Sequence, residues 1–478
     1  VGPLALYVAS LVPGVAFWDT GEMQTVPTIL GIAHPTGFPA FVLLGWLFAH
    51  ALPVATPAWR VSFLSACCAA GAAWLLFRLV RALVADAWVA VAAAWTYAAG
   101  DVVWTRAARA EVHDLALFFT ALALAAAALA GRRRDGRGAL VAAAACGCGM
   151  ATHPVVALAV PSVVLLAWPA LRELGGTDAA RIVAAGLAPL ALYLYLPLRS
   201  AQIERSGADP VAALGLQGGA FWNYDAPSTP QRFASYVSGA SFHPVAAFAA
   251  ATTRTGAADA AALARMLLGT EFGAVMLALI ITGFFYLARF ETRLAVAFGL
   301  LALALFAFAP NFAAESDTLR YALPSLWAAG VCAGVGAWWL TQSLVRERSG
   351  PATAIAAGLL AIALWPNVAY ALRDVERQRS LDDATRFTAD VVRFTPDDAL
   401  VVASWTYATP LAYAAYVAHS FGKRRLVSGW PYEYSTRYAS WRARFKHIYL
   451  VVPARYDAAD LATRVFATSR WQIAEVRS

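Results

Sequence analysis

The chain has 478 residues, of which 60% are hydrophobic and only 14% charged, against roughly 25% charged residues in soluble domains. That balance excludes an ordinary soluble globule. The net charge of +8 does not point to nucleic acid, because most basic residues sit in short clusters between apolar runs, where a cytoplasmic membrane flank places them.

Apolar runs such as Ala87 to Val103 and Leu115 to Ala130 recur along the chain. Each matches the hydrocarbon thickness of a bilayer, and lipid offers the backbone no partners, so they must be helices. In chain order the candidate spans are 1–17, 59–80, 87–104, 115–131, 138–152, 154–170, 181–199, 270–288, 294–310, 322–343 and 352–371. The chain opens at Val1 inside an apolar stretch, so a preceding segment is expected and a signal peptide cannot be judged. The five cysteines all fall in apolar segments and read as small packing residues.

Segment 37–53 decides the parity of everything after it. It is short, contains Pro39, Pro53, Gly45 and His50, and reads as a helix lying along the membrane surface. With it not spanning, twelve arginines fall on cytoplasmic connections and five on outer ones, as the positive-inside rule requires. The result is about eleven spans in a polytopic α-helical protein, with the amino end cytoplasmic and the carboxyl end outside. The polar clusters then gather on the outer face: the first loop 18–58, Arg106 to Asp114, Thr152 to Pro154, the large loop 200–269 and Asn311 to Tyr321.

The pattern changes from about residue 373, where charges become frequent. Ala399 to Ala403, Arg425 to Val427, His447 to Val452 and Gln472 to Val476 read as strands. Pro410 to His419, Ser435 to Phe445 and Ala458 to Phe466 read as helices. Such alternation predicts a small, mainly parallel α/β domain over 373–478, outside the membrane domain 1–372. It carries no Gly-rich phosphate loop.

Asp19 and Glu22 are three apart, so one helical turn would aim both carboxylates the same way. Acids there can take a proton from a hydroxyl or hold a metal ion; two solvated loop acids are the plainer alternative. Arg106, Arg109, Glu111, His113 and Asp114 cluster at the next outer end, where Asp114 can also serve as a helix cap. His153 before Pro154 opens another span. Arg199 and Arg320, the latter followed by Tyr321, stand at outer span ends. Each can bind a phosphate bidentately or snorkel to headgroups, and Asp317 can pair with Arg320.

Trp18-Asp19-Thr20-Gly21-Glu22 followed by His34-Pro35-Thr36-Gly37-Phe38-Pro39 resembles the W-D-x-G-E … H-P-x-G-x-P signature of bacterial protein O-mannosyltransferase-like membrane proteins, in the GT-C superfamily of glycosyltransferases. Weaker matches follow in order at Ala110 to His113, Thr152 to Pro154, Tyr195 to Arg199 and Arg320 to Pro324. His113 stands where relatives often have tyrosine.

The resemblance implies a polyprenyl-phosphate-linked sugar donor and transfer on the outer face of a bacterial inner membrane. It also implies an acidic base in the first outer loop. Asp19 is then the base and Glu22 its neighbour. His34, Arg109, Glu111, His113, His153, Arg199, Arg320 and Tyr321 are donor- or phosphate-binding candidates. The expected reaction is inverting transfer of mannose or a similar hexose to a protein Ser/Thr or glycan hydroxyl. No resident cofactor is implied, although Asp19, Glu22 and Glu111 are candidate ligands for a divalent metal. The expected partners are the bilayer, the lipid-linked sugar and the acceptor, with no nucleic acid. A secondary transporter, or a non-catalytic scaffold built around the C-terminal part, are the alternatives; polar residues crowding span ends disfavour the transporter, which would hold them at mid-depth.

Overall fold

The computed structural model describes residues 1–478 apart from 217–219, 241–260, 262–264, 266–271, 309–317, 345–349, 380–381, 458 and 478. Much of the large loop, the segment from Asn311 and the sequence's alternative Arg320 partner, Asp317, lie outside the described residues.

Helices α1 (Gly2–Ser10), α2 (Trp18–Thr25), α3 (Pro39–Ala51), α4 (Pro57–Val84), α5 (Ala87–Ala98), α6 (Asp101–Ala107), α7 (Val112–Arg133), α8 (Gly136–Thr152) and α9 (Val160–Leu171) form the first part. After them come α10 (Gly176–Leu187), α11 (Tyr195–Ser206), α12 (Pro230–Val237), α13 (Ala274–Phe290), α14 (Thr292–Phe308), α15 (Leu323–Leu344) and α16 (Gly350–Arg379). By length and composition, six helical stretches among the described residues suffice to cross a membrane, with shorter apolar helices at Pro39–Ala51, Ala87–Ala98, Ala274–Phe290 and Thr292–Phe308. The chain is a multi-pass membrane protein.

Two expected spans differ in detail. Segment 1–17 is helical only over Gly2–Ser10, and 87–104 breaks at Ala99 and Gly100 into α5 and α6. Local chemistry sets several starts. Thr56, Asp86, Glu111 and Asp135 each accept a backbone N–H from the first turn of α4, α5, α7 and α8, satisfying donors the helix cannot. Glu111, rather than Asp114, is therefore the cap of α7.

The bundle has two chemically distinct ends. At one, Arg132 pairs with Glu291 at 2.7 Å and Arg134 with Glu173 at 2.6 Å, joining connections that arginine counting put on one side. The other end carries α2 and the C-terminal unit. Helix α3 begins and finishes at this second end. His34, just before it, faces Trp405, and Ala58, just after it, donates its N–H to Tyr413 of the same C-terminal helix at 3.3 Å. The segment 37–53 thus does not cross the bundle.

Small residues let some helices touch backbone to backbone. A Cβ on Gly283 of α13 would lie 1.8 Å from the Cys332 carbonyl oxygen of α15, and one on Gly336 would lie 2.0 Å from that of Leu279. In lipid such close packing replaces the hydrophobic drive between helices. Gly283→Val should therefore separate α13 from α15 and cost about 1–3 kcal/mol, measured as a lower unfolding temperature in detergent.

The C-terminal part holds α17 (Asp383–Phe394), β1 (Leu400–Ala403), α18 (Trp405–Tyr416), β2 (Arg425–Ser428), β3 (Ile448–Pro453), β4 (Ala462–Ala467) and β5 (Trp471–Val476). The sheet runs β2-β1-β3-β5-β4. Its β1 pairs are parallel and its β5 pairs antiparallel, so it is mixed rather than mainly parallel. Within the expected helix over Ala458 to Phe466, the residues from Ala462 onward form the antiparallel edge strand β4. The expected helix from Ser435 is a 3-10 stretch, Pro431–Arg437, followed by the short Tyr438–Trp441.

Candidate active site

Helix α2 carries Asp19 and Glu22 one turn apart, their carboxylates within 4.8 Å of each other as the spacing predicts but engaged by different partners. Glu22 is fully buried and accepts the His34 backbone N–H at 2.7 Å. It also accepts the His34 imidazole Nδ1–H, so the His-Pro-Thr-Gly stretch is pinned to α2. Gly21 is required by close approach: a Cβ there would meet the Ala16 carbonyl oxygen at 2.2 Å and Thr409 of α18 at 2.9 Å. Asp19 reaches a cavity. Its Oδ2 accepts from Arg320 Nη1 at 2.7 Å and its Oδ1 from Trp405 Nε1 at 3.3 Å.

A second cluster stands at the start of α7. Glu111 Oε1 accepts from His113 Nδ1 at 2.7 Å, and Arg109 lies 3.7 Å from its other oxygen. His153 Nδ1 accepts the Val155 N–H at 3.1 Å, so its neutral form carries the proton on Nε2. The rings of His113 and His153 are 4.8 Å apart, and His153 stacks on Phe38 at 5.4 Å. Tyr321 meets His113 edge-on at 5.0 Å.

These groups line one cavity of about 1110 Å³, into which Asp19, His34, Arg109, Glu111, His113, His153, Arg320 and Tyr321 all face. Val12, Val15, Val155, Leu158 and Phe308 give it an apolar wall. Trp405, Thr406, Tyr407, Arg470 and Trp471 close it from the C-terminal side. Its size suits a drug-sized or larger ligand.

Burial opposes the charge on Asp19, but His34 and the Arg320 guanidinium hold its carboxyl below the usual carboxylate range. Burial likewise opposes ionisation of Glu111, yet His113, Arg109 and Arg320 keep it ionised. His153 is held neutral by burial and by the neighbouring His113 and Arg320.

Two sequence candidates do not reach the cavity. Glu22 is absent from its lining and is joined to the site by its hydrogen bonds to His34. Arg199 donates to the carbonyl oxygens of Leu30 at 2.8 Å and Ile29 at 3.4 Å, and to Gln202. It thus staples the turn that leaves α2 and does not line the cavity. Arg199→Ala should lower the unfolding temperature while leaving donor KM close to wild type, since only the turn loses its donors.

Atoms of Asp19, Glu22 and His34 come within 4.8 Å of one another, so they could reach a common ion. Each is already partnered, however. Glu22 and His34 satisfy each other, and the Arg320 cation sits on Asp19. A divalent ion would have to break both pairs against its own charge repulsion with Arg320, and Glu111 is engaged by His113 and Arg109. The set does not fit a resident metal, and no step is assigned to one.

Sequence reasoning missed the C-terminal wall. Trp405 stacks on Phe221 at 5.1 Å and meets Tyr224 at 5.6 Å, which fixes its indole against Asp19. No local signal marks it.

Residues 19–172 match the family model described as the Protein O-mannosyl-transferase TMEM260 N-terminal domain. The chain is 29% identical over 119 residues to Protein O-mannosyl-transferase tmem260 of Dictyostelium discoideum, covering 24% of this chain and 14% of that protein. It is 30% identical over 206 residues to Protein O-mannosyl-transferase TMEM260 of Mus musculus, covering 41% and 29%. The alignments thus span less than a third of either relative. Among solved structures, ArnT from Cupriavidus metallidurans in the apo state has a TM-score of 0.52 at 12% identity, covering 99% of this chain and 96% of ArnT. The same enzyme bound to undecaprenyl phosphate gives 0.50. The Archaeoglobus fulgidus oligosaccharyltransferase, in complex with Zn and sulfate, gives 0.53 at 14% identity, covering 95% and 67%. The chain therefore has a GT-C-like fold, and its first third is similar to the TMEM260-like protein O-mannosyltransferases.

Proposed function

We propose that this chain is a membrane glycosyltransferase that moves mannose or a similar hexose from a polyprenyl-phosphate donor to a hydroxyl, on a protein Ser/Thr or a glycan. The observation that carries the reading is Asp19, a carboxylate facing a large cavity at one end of the bundle, with Arg320 and Arg109 lining the same space. In this reading the cavity and the C-terminal unit lie on the extracytoplasmic side of a bacterial inner membrane. The chain divides into a membrane domain, 1–372, and an extracytoplasmic domain, 373–478.

The chemistry follows from the charges. The acceptor hydroxyl attacks the anomeric carbon from the face opposite the phosphate, and Asp19 takes its proton. The guanidinium groups of Arg320 and Arg109 offset the charge that grows on the departing phosphate. His153 and His113 are placed to bind sugar or phosphate oxygens. The apolar wall of Val155, Leu158 and Phe308 gives the lipid chain a lateral path. Trp405, Tyr407 and Trp471 leave the C-terminal side to the acceptor.

The test is transfer by purified protein in liposomes from polyprenyl-phosphate hexose to an acceptor peptide or glycan, with the anomeric configuration of the product read by NMR. An inverted linkage is expected. Transfer directly from a nucleotide sugar, or ion-coupled uptake with no product, would overturn the reading.

A further inference from the structure

We infer that Arg320 is a shared counter-ion, handed from Asp19 to the donor phosphate as the reaction proceeds. The inference rests on the transferase reading above. Arg320 Nη1 holds Asp19 Oδ2 at 2.7 Å, and Trp405 holds the other oxygen, so each oxygen of the resting carboxylate has a donor. The Arg320 side chain is 11% exposed, lies over the Tyr321 ring at 5.3 Å and faces the cavity. It stands where a phosphate would need a cation.

The reaction moves one negative charge across this guanidinium. The donor is a phosphodiester carrying one negative charge. When the hydroxyl oxygen bonds to the anomeric carbon, the carbon–oxygen bond to phosphate breaks and its electron pair goes to the phosphate oxygen. The lipid phosphate gains a second charge, and the hydroxyl proton neutralises Asp19. The charge lost at Asp19 thus reappears on the phosphate, and a planar fork with five N–H donors can follow it without a second cation. Release of Asp19 as Arg320 turns to the phosphate also makes the base available when the donor is bound. Donor and Asp19 then compete for one cation, which predicts measurable coupling between them.

The experiment measures binding of undecaprenyl phosphate to the full chain in detergent, for wild type, Asp19→Asn, Arg320→Gln and the double variant. Asp19→Asn should tighten binding by about tenfold, within the usual range for coupled sites, and Arg320→Gln should weaken it. In the Arg320→Gln background the Asp19→Asn gain should vanish. Glu111→Gln removes an equal charge without touching the Asp19 pair, and its gain should be smaller. Arg320→Lys, which keeps the charge but not the fork, supplies a second background in which the coupling should shrink. Handover is overturned by unchanged affinity in Asp19→Asn, or by a gain that persists undiminished in either Arg320 background. Binding without coupling overturns handover alone; no binding by any folded variant overturns the donor assignment with it.

Discussion

Asp19→Asn is expected to slow sugar transfer by about 10²–10⁴-fold, the contribution of a well-placed general base. Asparagine keeps the side-chain volume and an oxygen for the Trp405 N–H at the 3.3 Å contact, but it cannot take the acceptor's proton. The check is a single-turnover rate with labelled donor, alongside the unfolding temperature of each protein. A near-wild-type rate in folded protein would move the base away from Asp19. Deleting residues after about 375 would not separate an enzyme from a scaffold, because the deletion also removes Trp405 from the site.

Breaking the Glu22–His34 pair should have the second large effect. Glu22 is fully buried and is the acceptor for both the backbone N–H and the imidazole Nδ1–H of His34. Glu22→Ala leaves two donors without a partner, at about 1–3 kcal/mol each, and frees the loop that positions His34 beside Asp19. A lower unfolding temperature and a fall in transfer rate are expected together. A stable, fully active Glu22→Ala protein would show that the pair is dispensable.

The same pair predicts a pH dependence. Burial disfavours a charged His34, but the Glu22 carboxylate, with Asp19 beside it, outweighs burial and the repulsion of Arg320, so its pKa lies above the ordinary 6.5. A group whose folded pKa is raised contributes stability that is complete below its unfolded value and is lost as pH rises through the folded value. The unfolding temperature should therefore fall as pH climbs above about 6.5, and Glu22→Ala should flatten that slope. Equal slopes in the two proteins would assign the dependence to other groups.

Hydropathy alone shows where helices lie, because each apolar run has only one way to satisfy its backbone in lipid. Arginine placement further divides the connections between two ends, and the Arg132–Glu291 and Arg134–Glu173 pairs join residues of one such group. The strand at Ala462–Ala467 was not legible. The stretch 458–467 has four alanines with Leu461 and Arg464, good helix formers, and pairing with β5 overrides that preference from Ala462 onward. The first-loop cluster was legible because its residues are close in sequence. Local sequence could not show that Glu22 turns inward to His34, nor that Arg199 spends its donors on Leu30 and Ile29. Trp405 is one of 17 tryptophans, and only tertiary structure singles it out.

The bond from Trp405 to Asp19 joins residues 386 positions apart. During synthesis the membrane helices can insert one after another, since each satisfies its own backbone. Asp19 is made well before Trp405, with the membrane helices between them. Loop closure over such a separation comes late in folding. A chain stopped or misfolded before α18 would be inserted in the membrane without a complete cavity wall, so competence would arrive only once α18 and β5 are in place.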